Sequence, residues 1–96
     1  MPWFALMGYD GARGLELRGV HRPSHLDYWR PLAAAGRVRH AGPLLDEQGQ
    51  PRGSVLIFDA ADLPAAKALA AADPYSTNRV FERHELFETR AVLPEA

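Results

Sequence analysis

Ser54-Val55-Leu56-Ile57-Phe58 is an unbroken β-branched and aromatic run, preceded by the polar turn Asp46-Glu47-Gln48-Gly49-Gln50-Pro51-Arg52-Gly53. Such residues suit a pleated, buried surface, so the run predicts a central strand. Both parities are apolar, Val55 and Ile57 as well as Leu56 and Phe58, which predicts cover on both faces of the sheet. Upstream of the turn, Arg37 to Leu45 reads as a neighbouring strand. Gly42-Pro43 within it predicts a bulge or an edge position, because proline cannot donate to a ladder. Further out, Trp3-Phe4-Ala5-Leu6-Met7-Gly8-Tyr9 predicts a first strand buried on both faces and stopped by the turn signal Asp10-Gly11.

Helices are expected between these strands. Pro23 suits a first helical turn and Gly36 a helix end, which predicts a helix from about Pro23 to Ala35. Leu26, Trp29, Leu32 and Ala33 then form its inward face, and Pro31 predicts a kink or an early end. Asp10 to His21 shows little periodicity and reads as a loop. Asp62 is a good N-cap for a second, alanine-rich helix with Pro64 in its first turn, ending at Asp73-Pro74-Tyr75. Arg79 to Leu93 reads as a loop entering a last, half-exposed strand. The order βαββαβ predicts an α+β, ferredoxin-like fold, with two helices on one face of a four-stranded antiparallel sheet. The other face is expected to pack on a twofold-related copy, making a homodimer.

Ninety-six residues supply one modest core, hence one domain over residues 1–96. Eleven basic and twelve acidic side chains give a formal charge of -1, which argues against nucleic acid as a partner. Without cysteine the chain has no disulfide, thiolate metal site or thiol nucleophile. No apolar run is long enough to span a bilayer and no secretion signal opens the chain, so neither a membrane nor export is expected and the cytoplasm is the expected location.

Asp10, Leu17-Arg18, Arg22-Pro23-Ser24-His25-Leu26, Gly36, Ala41-Gly42-Pro43-Leu44, Gly53-Ser54 and Ala72-Asp73-Pro74-Tyr75 resemble, in order and spacing, the YCII-related (YciI-like) family. The Arg-Pro-x-His-Leu and Ala-Asp-Pro-Tyr segments are its specific parts. The resemblance implies a ferredoxin-like dimeric α+β barrel with a site built from His25 and Asp73. It also implies kinship with small dehydrochlorinases and muconolactone isomerases that act on oxygenated rings.

The residues themselves support acid–base chemistry. With Pro23 opening the helix, His25 faces inward near the helix start, and Asp73 follows the second helix, so the two helix ends bring them together. An aspartate there fixes the imidazole tautomer and stabilises its protonated form, leaving the second ring nitrogen as general base or acid. Arg18 and Arg22, on the loop before the helix, are candidates for a substrate carboxylate or enolate. Tyr75 is a candidate donor to an oxyanion and Ser54 a further substrate contact. Neither Ser24 nor Ser54 has the glycine-flanked elbow of a hydrolase, which favours isomerisation or elimination over acyl transfer. The expectation is therefore a cofactor-free enzyme of lyase or isomerase type acting on a small-molecule ligand. The alternative is a non-catalytic dimeric ligand-binding or accessory module, in which the His25–Asp73 pair only ties the fold. His21 and His25 have zinc-pair spacing, but Pro23 is expected to leave His21 outside the helix, so no metal site is assigned. His40 and His84 read as solvated strand residues, and Trp3 and Trp29 as core or interface aromatics.

Overall fold

Four stretches of apolar and polar residues pair edge to edge in the structure, a computed structural model that describes residues 1–95. Strands β1 (Trp3–Asp10), β2 (Val38–Leu45), β3 (Pro51–Asp59) and β4 (Phe81–Thr89) form one antiparallel sheet in the order β2-β3-β1-β4. The central pair is therefore β3 with β1, as the apolar run 54–58 predicts. Register places Phe4 beside Phe58, and Leu6 between Leu56 and Leu86, so one row of side chains on each strand faces the helices. These residues form the core with Trp29 of helix α1 (Gly14–Ala34) and Ala66 and Ala70 of helix α2 (Leu63–Ala72). Both helices thus cover the same face, which is the ferredoxin-like βαββαβ arrangement.

The helix ends follow local chemistry. Asp62 accepts the Ala65 N–H at 2.9 Å and caps α2. Gly36 takes a φ of +75°, and the bonds Arg37 N–H to Leu32 O and Gly36 N–H to Ala33 O close α1 in a Schellman motif. Pro43 lies on edge strand β2, opposite Ser54, where its missing N–H costs no ladder bond; shifts of register flank it at Val38/His40 and Leu44/Leu45.

The start of α1 differs from the expectation, and of the two outcomes expected at Pro31, a kink or an early end, the early end does not occur. The helix begins at Gly14, so residues 14–21 are helical rather than loop, and Pro23 lies inside it. Nor does the helix end at Pro31; it runs on to Ala34. Each interior proline forfeits one backbone bond, and packing of the helix on the sheet tolerates the loss. The apolar period was weak because the inward positions are Gly14, Arg18, His25 and Trp29, a stripe at helical spacing made largely of polar residues that are buried and paired. Of the expected inward face, Trp29 is buried and Leu32 packs on the core, whereas Ala33 is exposed. A short third helix, α3 (Pro74–Thr77), also follows α2 directly.

The sheet face away from the helices carries Trp3, Ala5, Met7, Val55 and Ile57, all half-buried, and Phe87, which is 55% exposed. Within one chain no described element covers it. Among the described residues no helix is long and apolar enough to cross a membrane.

Candidate functional site

Arg18, Arg22, His25 and Trp29 follow one another along α1 at helical spacing, and three of them are buried: Arg18, His25 and Trp29. Each buried polar group has a partner. The Arg18 guanidinium bonds both carboxylate oxygens of Asp10, at the end of β1, and the Ser54 hydroxyl of β3 at 2.8 Å. Its charge is thereby matched inside the fold, and helix, β1 and β3 are tied together. Asp10, which the sequence marks as a turn residue and as part of the family resemblance but not as a candidate site residue, is the partner of Arg18, and Arg18 belongs to the helix instead of a loop.

His25 lies mid-helix, not near a helix start, and its partner reaches it from the end of α2. Nδ1 is 2.7 Å from Asp73 Oδ1. Asp73 is 0% exposed and also accepts the Trp29 indole N–H on Oδ2 at 3.0 Å and the Tyr75 backbone N–H on Oδ1 at 2.9 Å. With N–H donors gathered on it, an acceptor-only carboxylate assigns the proton of the neutral imidazole to Nδ1. Nε2 has no hydrogen-bond partner among the described residues. The Tyr75 ring stacks on the imidazole with centroids 3.9 Å apart and 5° between planes, and the Arg18 guanidinium lies 5.1 Å from the Tyr75 ring centroid. Burial raises the Tyr75 phenol above its usual 10.0, partly opposed by Arg18 and Arg22, so the ring stays a neutral hydroxyl at physiological pH.

These groups border a cavity of about 410 Å³ between α1, β2 and β3. Arg18, Arg22, His25, Ser54 and Tyr75 line it, with Leu15, Leu26, Pro43 and Pro51 as apolar walls. Asp73 and Trp29 stand behind His25, outside the lining. Arg22 is exposed and makes no ion pair among the described residues, unlike Arg18. Ser54 is occupied by Arg18. His21 shares α1 with His25, against the expectation that it would fall outside the helix, and no cluster of three or more metal-ligating side chains occurs among the described residues. His40 and His84 lie on strands and are exposed.

A model of the YCII-related domain matches residues 2–90. The chain belongs to the YCII-related family. Among solved structures, this YCII-related chain is similar to 5-chloro-2-hydroxyhydroquinone dehydrochlorinase (TftG) from Burkholderia phenoliruptrix AC1100, in complex with 2,5-dihydroxybenzoquinone, at 22% identity over 92% of this chain and 93% of that one, with a TM-score of 0.81. It is also similar to SnoaB, a cofactor-independent oxygenase from Streptomyces nogalater, at 18% identity over 97% and 96% of the two chains, with a TM-score of 0.54. At these identities the likeness is one of fold. No curated protein matches the chain.

Proposed function

We propose that this YCII-related chain is a small-molecule enzyme of lyase or isomerase type, with His25 as its acid–base group and Asp73 as the partner that orients it. The observation that carries the reading is the His25 ring itself: tied at Nδ1 to a fully buried carboxylate, stacked on Tyr75, and bordering a cavity with its other nitrogen unpaired among the described residues. In this reading Nε2 removes a proton beside a carbonyl or ring hydroxyl. Asp73 stabilises the imidazolium that results. The proton then returns to another atom, which is isomerisation, or the released electron pair forms a new double bond while a leaving group departs with its own bonding pair, which is elimination.

Arg22 is the cation available to an anionic substrate oxygen, because Arg18 is already matched by Asp10. The Tyr75 hydroxyl is a second donor for that oxygen, and Ser54 contributes through its hold on Arg18. A cavity of about 410 Å³ with apolar walls and few polar groups suits a small ring. The oxygenated ring bound by the dehydrochlorinase of the same fold is the ligand class to test first. No cofactor is needed for such proton transfers.

The uncovered sheet face is proposed to pack on a second copy in the cytoplasm, giving the homodimer. Trp3, Met7, Ile57 and Phe87 supply its apolar centre, and beside them on the same face Arg83 and Glu85 pair with each other at 3.5 Å, a polar margin to the apolar patch. Light scattering at micromolar concentration is expected to give twice the chain mass, and a monomer mass removes this part of the proposal.

A thermal-shift screen of hydroxylated quinones, phenols and small enols tests the site. Binders are expected to raise the melting temperature of the wild type, and His25→Ala is expected to abolish turnover of any binder that is converted. Binding with no conversion by the wild type favours the accessory-module reading instead.

A further inference from the structure

Asp73 is held at both of its oxygens by different elements, and only one of those oxygens faces His25. Oδ1 takes the imidazole and the Tyr75 backbone N–H; Oδ2 takes the Trp29 indole N–H at 3.0 Å. An aspartate carboxylate turns easily about its last bond, since that torsion is broad and has no sharp staggered wells. A donor on Oδ2 removes this freedom. From this geometry we infer that Trp29 is a positioning residue: it fixes the carboxylate plane and, through it, the tautomer and orientation of His25. The inference rests on the acid–base reading of His25 for its consequence in turnover, but not for its structural content.

Trp29 is fitted to that role by its own surroundings. It follows His25 by four residues on α1, so both donors rise from one face of one helix toward the same carboxylate. Its indole packs at 5.0 Å on Phe58 of the central strand and stands edge-on to Tyr28 at 5.2 Å and 88°. Tyr28 in turn donates to the Leu69 carbonyl of α2 at 2.7 Å. The indole is thus locked between sheet and second helix, with its N–H directed at Oδ2. Trp29 does not border the cavity, so its reach to His25 runs through Asp73.

Nitrogen-15 NMR of the His25 ring in the ligand-free protein, at a pH where the ring is neutral, reads this directly. The wild type is expected to show two well-separated ring resonances, as one fixed tautomer requires. In Trp29→Phe, which keeps a packed ring and loses the donor, the two resonances are expected to move toward each other as the tautomers mix. Should Trp29→Phe fail to fold, β-(3-benzothienyl)alanine at position 29 keeps the indole outline with sulfur in place of N–H, and the same convergence is expected. Unchanged ring resonances in a folded variant overturn the inference and leave Trp29 as core packing alone.

A turnover assay separates this from the acid–base reading. If a substrate is found, kcat of Trp29→Phe is expected to fall about tenfold or more with KM little changed, the rate equivalent of one charge-assisted hydrogen bond. Convergence of the resonances together with full activity in His25→Ala refutes the acid–base reading while the positioning of His25 by Trp29 stands.

Discussion

The His25 and Tyr75 rings lie face to face, 3.9 Å apart and 5° from parallel, although the two residues come from different helices. Stacking of this kind contributes about 0.5–1.5 kcal/mol beyond the area buried. Tyr75→Phe keeps the stack and loses only a long hydroxyl bond to the Arg18 carbonyl at 3.4 Å, so a loss of no more than about 1 kcal/mol is expected. Tyr75→Ala removes the ring from a buried cluster and is expected to cost about 3–5 kcal/mol. Urea denaturation of the two variants checks the contrast. Equal losses would show that the ring does not hold the imidazole.

Asp73 is the acceptor on which α1, α2 and α3 converge. Asp73→Ala leaves the His25, Trp29 and Tyr75 N–H groups without their acceptor inside the fold and is expected to cost about 3–5 kcal/mol. Asp73→Asn preserves one acceptor oxygen and is expected to cost less. Chemical denaturation at neutral pH measures both, and a change below about 1 kcal/mol for the alanine variant would contradict the convergence described here.

Gly14 opens α1 against the Asp10 side chain, and a Cβ at this position runs into the Asp10 Cβ and carboxylate. Alanine ordinarily gains about 1 kcal/mol over glycine inside a helix. Overpacking costs about 1–3 kcal/mol, and here the obstruction includes a Cβ that cannot swing away. Gly14→Ala is therefore expected to destabilise the protein and to loosen the Asp10–Arg18 pair. A raised melting temperature for this variant would falsify the contact.

Asp46, in the β2–β3 turn, is pulled below its usual 3.8 chiefly by the Gln50 backbone N–H, with Arg52 and the Gln48 N–H adding to it against some desolvation. A carboxylate depressed in the folded state contributes stability that is present above 3.8 and fades as pH falls through the folded value. Asp46→Asn should then narrow its stability gap to the wild type as the solution is acidified below that point. Melting temperatures of both proteins across the acid range check the sign, and a gap that widens on acidification contradicts it.

Much of the sheet was legible because its signals are local. The β-branched run 54–58 and the alanine-rich helix capped by Asp62 announce themselves within a few residues and lie where they are expected, whereas the turn expected over 46–53 is shorter, because Pro51–Gly53 already pair as the start of β3. The start of the first helix is not legible in the sequence because its buried stripe is polar. Arg18 and His25 occupy inward positions that a hydrophobic period expects to be leucine, and Pro23 offered a false beginning.

The sequence by itself determined the βαββαβ order, the family and the identity of His25, Asp73, Arg18, Arg22, Tyr75 and Ser54 as the residues to watch, since strand runs, caps and motif spacing are properties of neighbouring residues. Only the tertiary structure decided what each of them touches. It assigned Arg18 to Asp10 and Ser54 and left Arg22 on the cavity wall without an ion pair among the described residues. It also brought Trp29 onto Asp73 across forty-four positions of chain. The physical reason is that a buried charge must find a partner wherever the fold places one, and such partners are set by three-dimensional packing, which short-range patterns in a chain do not encode.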